Sequence, residues 1–248
     1  MIMEHIREHG SVYVDQLAKQ LKVTPQTIRR DLNRDYDLEL LQRTRGGAVI
    51  KNTVENLGFG ARKALMTGEK TEIARITSNI IPDNSSMFIN LGTTTERVAE
   101  FLVDHSSILV ITNNINVASV LWPIRNIQVM IAGGMIRQSD GGIVGRSTEE
   151  FIDSFKPDYA IIGCSAIDDS GEILDYDLRE VRITQAIIRQ AHVVLLVTDS
   201  MKLERSAPVK VATLEDIDIL VTDDGVSADF VELCRLNNVD VKIANPSD

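Results

Sequence analysis

Soft ligands and long apolar runs are what this chain lacks. Only two cysteines and four histidines occur among 248 residues. Cys164 and Cys234 stand far apart in the sequence and in no ligand spacing, so they read as buried free thiols in a reducing cytoplasm. The histidines are scattered, which leaves no metal site to expect, and nothing calls for a cofactor. No apolar run reaches the roughly 20 residues a membrane helix requires. The opening "MIMEHIREHG" has no apolar export core, so no signal peptide and no membrane partner are expected. A Walker-type phosphate loop, G-x-x-x-x-G-K-S/T, is also missing. What remains is an ordinary globular composition, 44% hydrophobic and 25% charged, long enough for a small domain plus a larger one.

The net charge of −10 is unevenly distributed. Residues 1–51 hold nine Lys/Arg against seven acids, and the rest holds 17 against 29. Only the first fifth is suited to a phosphate backbone. There "VDQLAKQL" places Val14, Leu17, Ala18 and Leu21 at helical spacing. "KVT" reads as a turn, and Thr24–Pro25 as a helix start: a hydroxyl cap, then a residue pre-set near helical φ. On the helix that follows, Ile28 and Leu32 face inward while Gln26, Arg30, Asn33 and Arg34 face out, with Thr27 alongside. Gln forks onto adenine and Arg onto guanine, so this is helix-turn-helix geometry with base readers at the start of the second helix. "LLQRTRGGAV" then reads as a strand and Gly-Gly turn, a wing that brings Arg43 and Arg45 to phosphate. The candidate DNA contacts are Thr24, Gln26, Thr27, Arg29, Arg30, Asn33, Arg43 and Arg45.

Beyond residue 51 apolar runs alternate with helical patterns. Strands are expected at Met87–Asn90, Ile108–Thr112, Gln128–Ala132, Tyr159–Gly163, Val193–Thr198, Ile219–Thr222 and Val241–Ala244. Helices are expected at Lys70–Ile80, Glu96–Val103, Asn116–Leu121, Thr148–Phe155, Glu180–Gln190 and Ala228–Leu236. This alternation predicts an α/β domain with a mainly parallel sheet covered on both faces, whose ligand binds beyond the carboxyl ends of the strands. Those ends carry "INLGTTTERVAE", "VITNNINVAS", "IAGGMIRQSDGGIVG" and "VTDSMKLER". In the first, a glycine and three threonines open a helix, which makes an anion cradle. Together the four loops suggest a pocket for a small phosphorylated polyol.

"TPQTIRRDLN" and "RTRGGA" resemble the winged helix-turn-helix of the DeoR family of bacterial repressors. "EK.EIA" at 69–74, "GTTT" at 92–95, "TNN" at 112–114, "AGG" at 132–134 and "TDSMK" at 198–202 resemble that family's effector domain, which is similar to sugar-phosphate isomerases of the ribose-5-phosphate isomerase class. The likeness covers nearly the whole chain. It departs from the family in a short first helix (Ile2–Glu8), in Asp35 at an apolar position and in Glu39 at a helix-ending one. The resemblance implies a winged domain at 1–50, a linker at 51–69 and an effector domain at 70–248. It implies that Gly92, Thr93, Thr94 and Thr95 hold the effector phosphate, with Gly133 and Gly134 lining the site. Lys70, Arg137 and Lys202 would add positive charge; Asn113, Asp199 and Glu180 would hold hydroxyls or orient the cations. The expected partners are operator DNA, a phosphorylated metabolite and further copies of the chain, as a dimer or tetramer. The competing reading is a sugar-phosphate isomerase-like enzyme drawing a base from Asp168, Asp169, Glu172, Asp175 or Asp177.

Overall fold

The computed structural model describes residues 11–14, 18, 19, 21–32, 41–44, 47–50, 63, 66–203 and 205–244. The chain divides into two compact units, residues 1–66 and 67–248. In the first unit, strand β1 (Ser11–Tyr13) pairs antiparallel with β3 (Gly47–Ile50), which pairs antiparallel with β2 (Leu41–Thr44). The β2–β3 hairpin is the expected wing, with Gly47 already inside the strand. β1 was not expected; its "SVY" is short, yet it covers the wing's open edge. Helix α1 (Pro25–Leu32) starts at the expected cap. The Thr24 hydroxyl accepts the Thr27 amide at 3.2 Å, satisfying one of the first-turn donors. Val14, Ala18 and Ile28 are each buried.

The second unit is built on seven strands: β4 (Ser86–Ile89), β5 (Ile108–Thr112), β6 (Ile127–Ile131), β9 (Tyr159–Ile162), β12 (Val193–Val197), β14 (Ile219–Asp223) and β15 (Asp240–Ala244). Every pairing among them is parallel, in the order β15-β14-β12-β9-β4-β5-β6. Side-chain alternation sends neighbouring residues to opposite faces. Met87 and Ile89 join one core with Val98, Val117 and Leu121; Phe88 joins the other with Val181, Ile187 and Phe230. Helices α2 (Thr67–Ile80), α3 (Thr93–Phe101) and α4 (Ile115–Leu121) supply the first layer. Helices α5 (Arg146–Ile152), α6 (Leu178–Gln190) and α7 (Ala228–Leu236) supply the second.

All seven expected strands form, displaced by a residue at most at each end. The first five helices begin one to three residues before the apolar periodicity does, because a first turn is polar and carries caps rather than core residues. Two small sheets were missed. β7 (Met135–Ile136) pairs antiparallel with β8 (Ile143–Val144). β10 (Ala166–Ile167), β11 (Glu172–Asp175) and β13 (Val209–Thr213) make an antiparallel trio. The acid-rich stretch from Asp168 to Asp177 thus lies in a sheet that buries Ala166, Ile167 and Ile173 completely.

Strand order places the site. The chain lays β4, β5 and β6 outward in one direction, then returns to the other side of β4 as β9 and continues to β12, β14 and β15. Connections leaving β4 and β9 therefore diverge, opening a crevice above their carboxyl ends. Among the described residues no helix is long and apolar enough to cross a membrane.

Candidate functional site

Gly92 is the N-cap of α3, with φ 143° and ψ 150° and no side-chain cap. A β-carbon is strained at that φ, and one built there would sit 3.2 Å from Thr95 Oγ1. The loop is locked from below: the Thr95 hydroxyl donates to the carbonyls of Asn90 (2.9 Å) and Gly92 (2.8 Å), so Thr95 is committed to the loop's shape. The hydroxyls of Thr93 and Thr94 have no protein partner among the described residues. With the first-turn amides of α3, which have no intrahelical acceptor, they form a donor-rich cup at the positive end of a helix dipole. That is chemistry for an anion.

Other strand ends converge on this cup. Asn113, after β5, is 1% exposed; its Nδ2 donates to the Ile143 carbonyl at 3.2 Å and its Oδ1 is unpartnered. Asn90, after β4, is equally buried, donates to Thr184 Oγ1 at 2.7 Å, and also keeps an unpartnered Oδ1. At these two neighbouring strand ends, two buried acceptors thus lack a donor among the described residues. Glu96, in the first turn of α3, takes Asn114 Nδ2 (3.1 Å) and Asn116 Nδ2 (2.9 Å) on Oε1. Asn116 Nδ2 also donates to the Asp140 carbonyl at 3.0 Å, tying the 137–142 loop to α3. Gly142 rests directly on the cup's wall: a β-carbon there would meet Leu91 Cδ1 at 2.7 Å.

Arg137 is placed at the site but not as an open cation. Its Nε and Nη2 chelate Asp140 (2.9 and 2.6 Å), Nη1 donates to Asp177 (2.9 Å) and Nη2 to Glu180 (2.6 Å). Burial opposes its charge, but the Asp140 hydrogen bond and the fields of Glu180 and Asp140 push its pKa above that of ordinary arginine. Asp177 caps α6 and is held down to about 2, first by the Arg179 hydrogen bond, against burial, and then by the Arg179 amide and Arg137. Glu180 moves the other way. Burial and the charge of Asp175 raise it to about 7, with Arg137 pulling back.

The last loop follows β12. Asp199 is buried, makes no side-chain cap, and precedes the turn Ser200–Lys202. Lys202 and Asp199 are both close enough to act electrostatically on Cys164, whose thiol burial pushes up to about 11. Lys70 is buried on α2, which packs along α3. Gly133 and Gly134 sit after the edge strand β6; the Gly133 carbonyl accepts the Thr148 hydroxyl at 2.9 Å, and Thr148 fills the space beside Gly134. The sequence reading missed Asn90, Glu96, Asn116 and Asp140, and took Asp177 only as a candidate base of the isomerase alternative. All four stood in stretches already singled out, but Asn90 was read as the end of a strand and Glu96 and Asn116 as ordinary helix starts.

Of the five acids of the isomerase alternative, Asp169 is exposed and the other four are occupied structurally, Asp177 by Arg137 and Arg179. Asp168 accepts the Ser170 and Glu172 amides at 3.0 and 2.9 Å, Glu172 pairs with Lys210 at 2.6 Å, and Asp175 accepts Ser165 Oγ and the Tyr176 amide. In the first unit Gln26 and Arg30 are exposed on α1 and Thr27 is half-buried. Arg29 and Arg43 fall on α1 and β2. Asn33 and Arg45 lie outside the described residues, as do Ile2–Glu8, Asp35 and Glu39.

Comparison with known proteins decides the lineage. Residues 1–54 match the DeoR-like helix-turn-helix domain and residues 66–224 the DeoR C terminal sensor domain. The chain belongs to the DeoR family. This DeoR-family chain is 40% identical over 222 residues to the glycerol-3-phosphate regulon repressor of Escherichia coli K12, covering 90% of this chain and 88% of that protein. It is also 40% identical over 223 residues to the Haemophilus influenzae protein of the same name, covering 90% and 87%. These relatives are transcriptional repressors by name, not enzymes. Among solved structures it is similar to a D-ribose-5-phosphate isomerase in complex with phospho-erythronic acid, with TM-score 0.41 and 15% identity over 54% of this chain and 52% of that one.

Proposed function

We propose that this protein is a cytoplasmic transcriptional repressor that leaves its operator when a phosphorylated three-carbon polyol, glycerol 3-phosphate, binds the second unit. The carrying observation is the glycine-capped start of α3, with two hydroxyls and the first-turn amides open at the switch point of the sheet. The name shared by the relatives supports glycerol 3-phosphate over other sugar phosphates. Gly92, Thr93 and Thr94 bind the phosphate, with Thr95 holding the loop; Asn113 and Asp199 take ligand hydroxyls, and Lys70 and Lys202 balance charge. In the winged unit, residues 1–50 in this reading, α1 reads bases through Gln26, Thr27 and Arg30. Thr24, Arg29, Asn33, Arg43 and Arg45 contact the backbone.

Paired half-sites require at least two copies. The edge strand β6 supports self-association: residues 127–136 contain no charge, and Met130, Ile131, Met135 and Ile136 are exposed. The opposite edge, β15, carries the Asp240–Lys242 ion pair at 2.8 Å, a device that discourages strand addition. Two acidic bodies approach most readily through an uncharged face. A 100-fold loss of operator affinity on ligand binding needs about 2.7 kcal/mol of coupling between the two sites. The test is footprinting on DNA upstream of the protein's own gene, with and without glycerol 3-phosphate. Protected paired half-sites that are released by glycerol 3-phosphate and not by inorganic phosphate are expected; no protected site, or no release, would overturn the proposal.

A further inference from the structure

We infer that Asp140, Asp177 and Glu180, gathered around Arg137, form a specificity wall that accepts the neutral hydroxyl end of the effector and rejects esters carrying a second anion. This rests on the effector reading above. Arg137 has five N–H donors, and four hydrogen bonds to carboxylates leave at most one for a ligand. An incoming phosphate would have to displace carboxylates already held at 2.6–2.9 Å. The wall therefore presents excess negative charge, with Asp175 adding its field to Glu180. Arg179 chelates Asp177 from its outer side at 2.8 and 3.0 Å and offsets that one charge, so the surplus rests on Asp140 and Glu180, with Asp175 behind them.

The wall lies next to the anion cup. Thr184, which donates to the Glu180 carbonyl at 3.1 Å, receives the Asn90 amide at 2.7 Å, and Asn90 is two residues before Gly92. The loop holding Asp140 packs on Leu91 through Gly142 and reaches Glu96 through Asn116. The site is thus bipolar: helix amides and hydroxyls at one end, carboxylates at the other. Carboxylate oxygens are good acceptors for polyol hydroxyls and repel a carboxylate or a second phosphate.

The experiment uses matched pairs that differ only in a terminal hydroxymethyl or carboxylate. These are glycerol 3-phosphate against 3-phosphoglycerate, and glucitol 6-phosphate against 6-phosphogluconate. Binding to the full chain is measured calorimetrically for wild type, Glu180→Gln and Asp177→Asn, with inorganic phosphate as the reference; asparagine preserves the helix cap. In wild type the polyol ester of the pair that binds is expected to be favoured on the order of 100-fold over its acid, the effect of one like charge at about 6 Å in a partly screened site. At least one variant should narrow that preference about fivefold or more while phosphate binding holds. Equal binding of ester and acid in wild type, or an unchanged preference in both variants, overturns the wall. If no phosphoester binds at all, the effector reading fails and takes the wall with it.

Discussion

Replacing Arg137 by methionine, which keeps much of the volume and removes the guanidinium, isolates the energetics of the wall. Three carboxylates then share a largely enclosed space without their common cation; the Arg137 side chain is only 16% exposed and that of Glu180 15%. Deleting one partner from a buried ion network costs about 3–5 kcal/mol. Residual solvent access favours the lower end, about 3 kcal/mol. For a unit spanning residues 67–248 this is a fall in Tm of roughly 6–12 °C. The loss must depend on pH. In wild type Glu180 is already raised to about 7, so the stability it contributes is complete below its unfolded value and is lost as pH rises through 7. Without Arg137, Asp177 also loses one of the cations that hold its pKa down, and the variant escapes its repulsion by taking up protons. Thermal unfolding followed by circular dichroism should show the full deficit at pH 8 and no more than about half of it at pH 5. A deficit under about 1 kcal/mol at pH 8, or one equal at both pH values, would refute the picture of a captive cation.

Arg30→Ala should weaken specific operator binding by about 1–3 kcal/mol and relax preference at one base pair, read by footprinting titration across single-base operator variants; a uniform loss would instead mark a phosphate contact. Thr94→Ala should raise the glycerol 3-phosphate concentration needed for operator release about tenfold, in line with the loss of one charge-assisted hydrogen bond, while leaving operator affinity unchanged; release at the wild-type concentration removes Thr94 from the cup. Ile131→Lys, a charge on the uncharged edge strand, should halve the particle mass seen by light scattering, whereas Lys242→Ala at the other edge should not. An unchanged mass for Ile131→Lys places the interface elsewhere.

Much of the architecture was open to reading along the chain, because it rests on short-range physics. Thr24–Pro25 announces α1 by cap and preset φ, and the hairpin of "RTRGGA" follows from its glycines. Each apolar run of the large unit is a strand, the five inner ones buried on both faces, and each glycine- and threonine-rich loop falls where a strand must turn. The cup at Gly92–Thr95 is local in the same sense: the Thr95 hydroxyl locks it to carbonyls within five positions. The antiparallel trio escaped because its strands are short and one of them, β13, arrives from a distant part of the chain.

Other properties depend on contacts no local pattern encodes. Arg137 reads as a cation for a phosphate, yet its charge is absorbed by Asp177 and Glu180, 40 and 43 residues away. The unpartnered oxygens of Asn90 and Asn113 emerge only when β4 and β5 are laid side by side and α6 is packed over them. Strand order, which puts the reversal between β4 and β9 and with it the candidate site, is likewise settled by the packing of whole layers. Sequence determined which residues become strands, caps and cradles, since propensity and periodicity act over a few residues. Tertiary structure decided which charges meet, because Coulomb energy and burial depend on distance in space and take no account of distance along the chain.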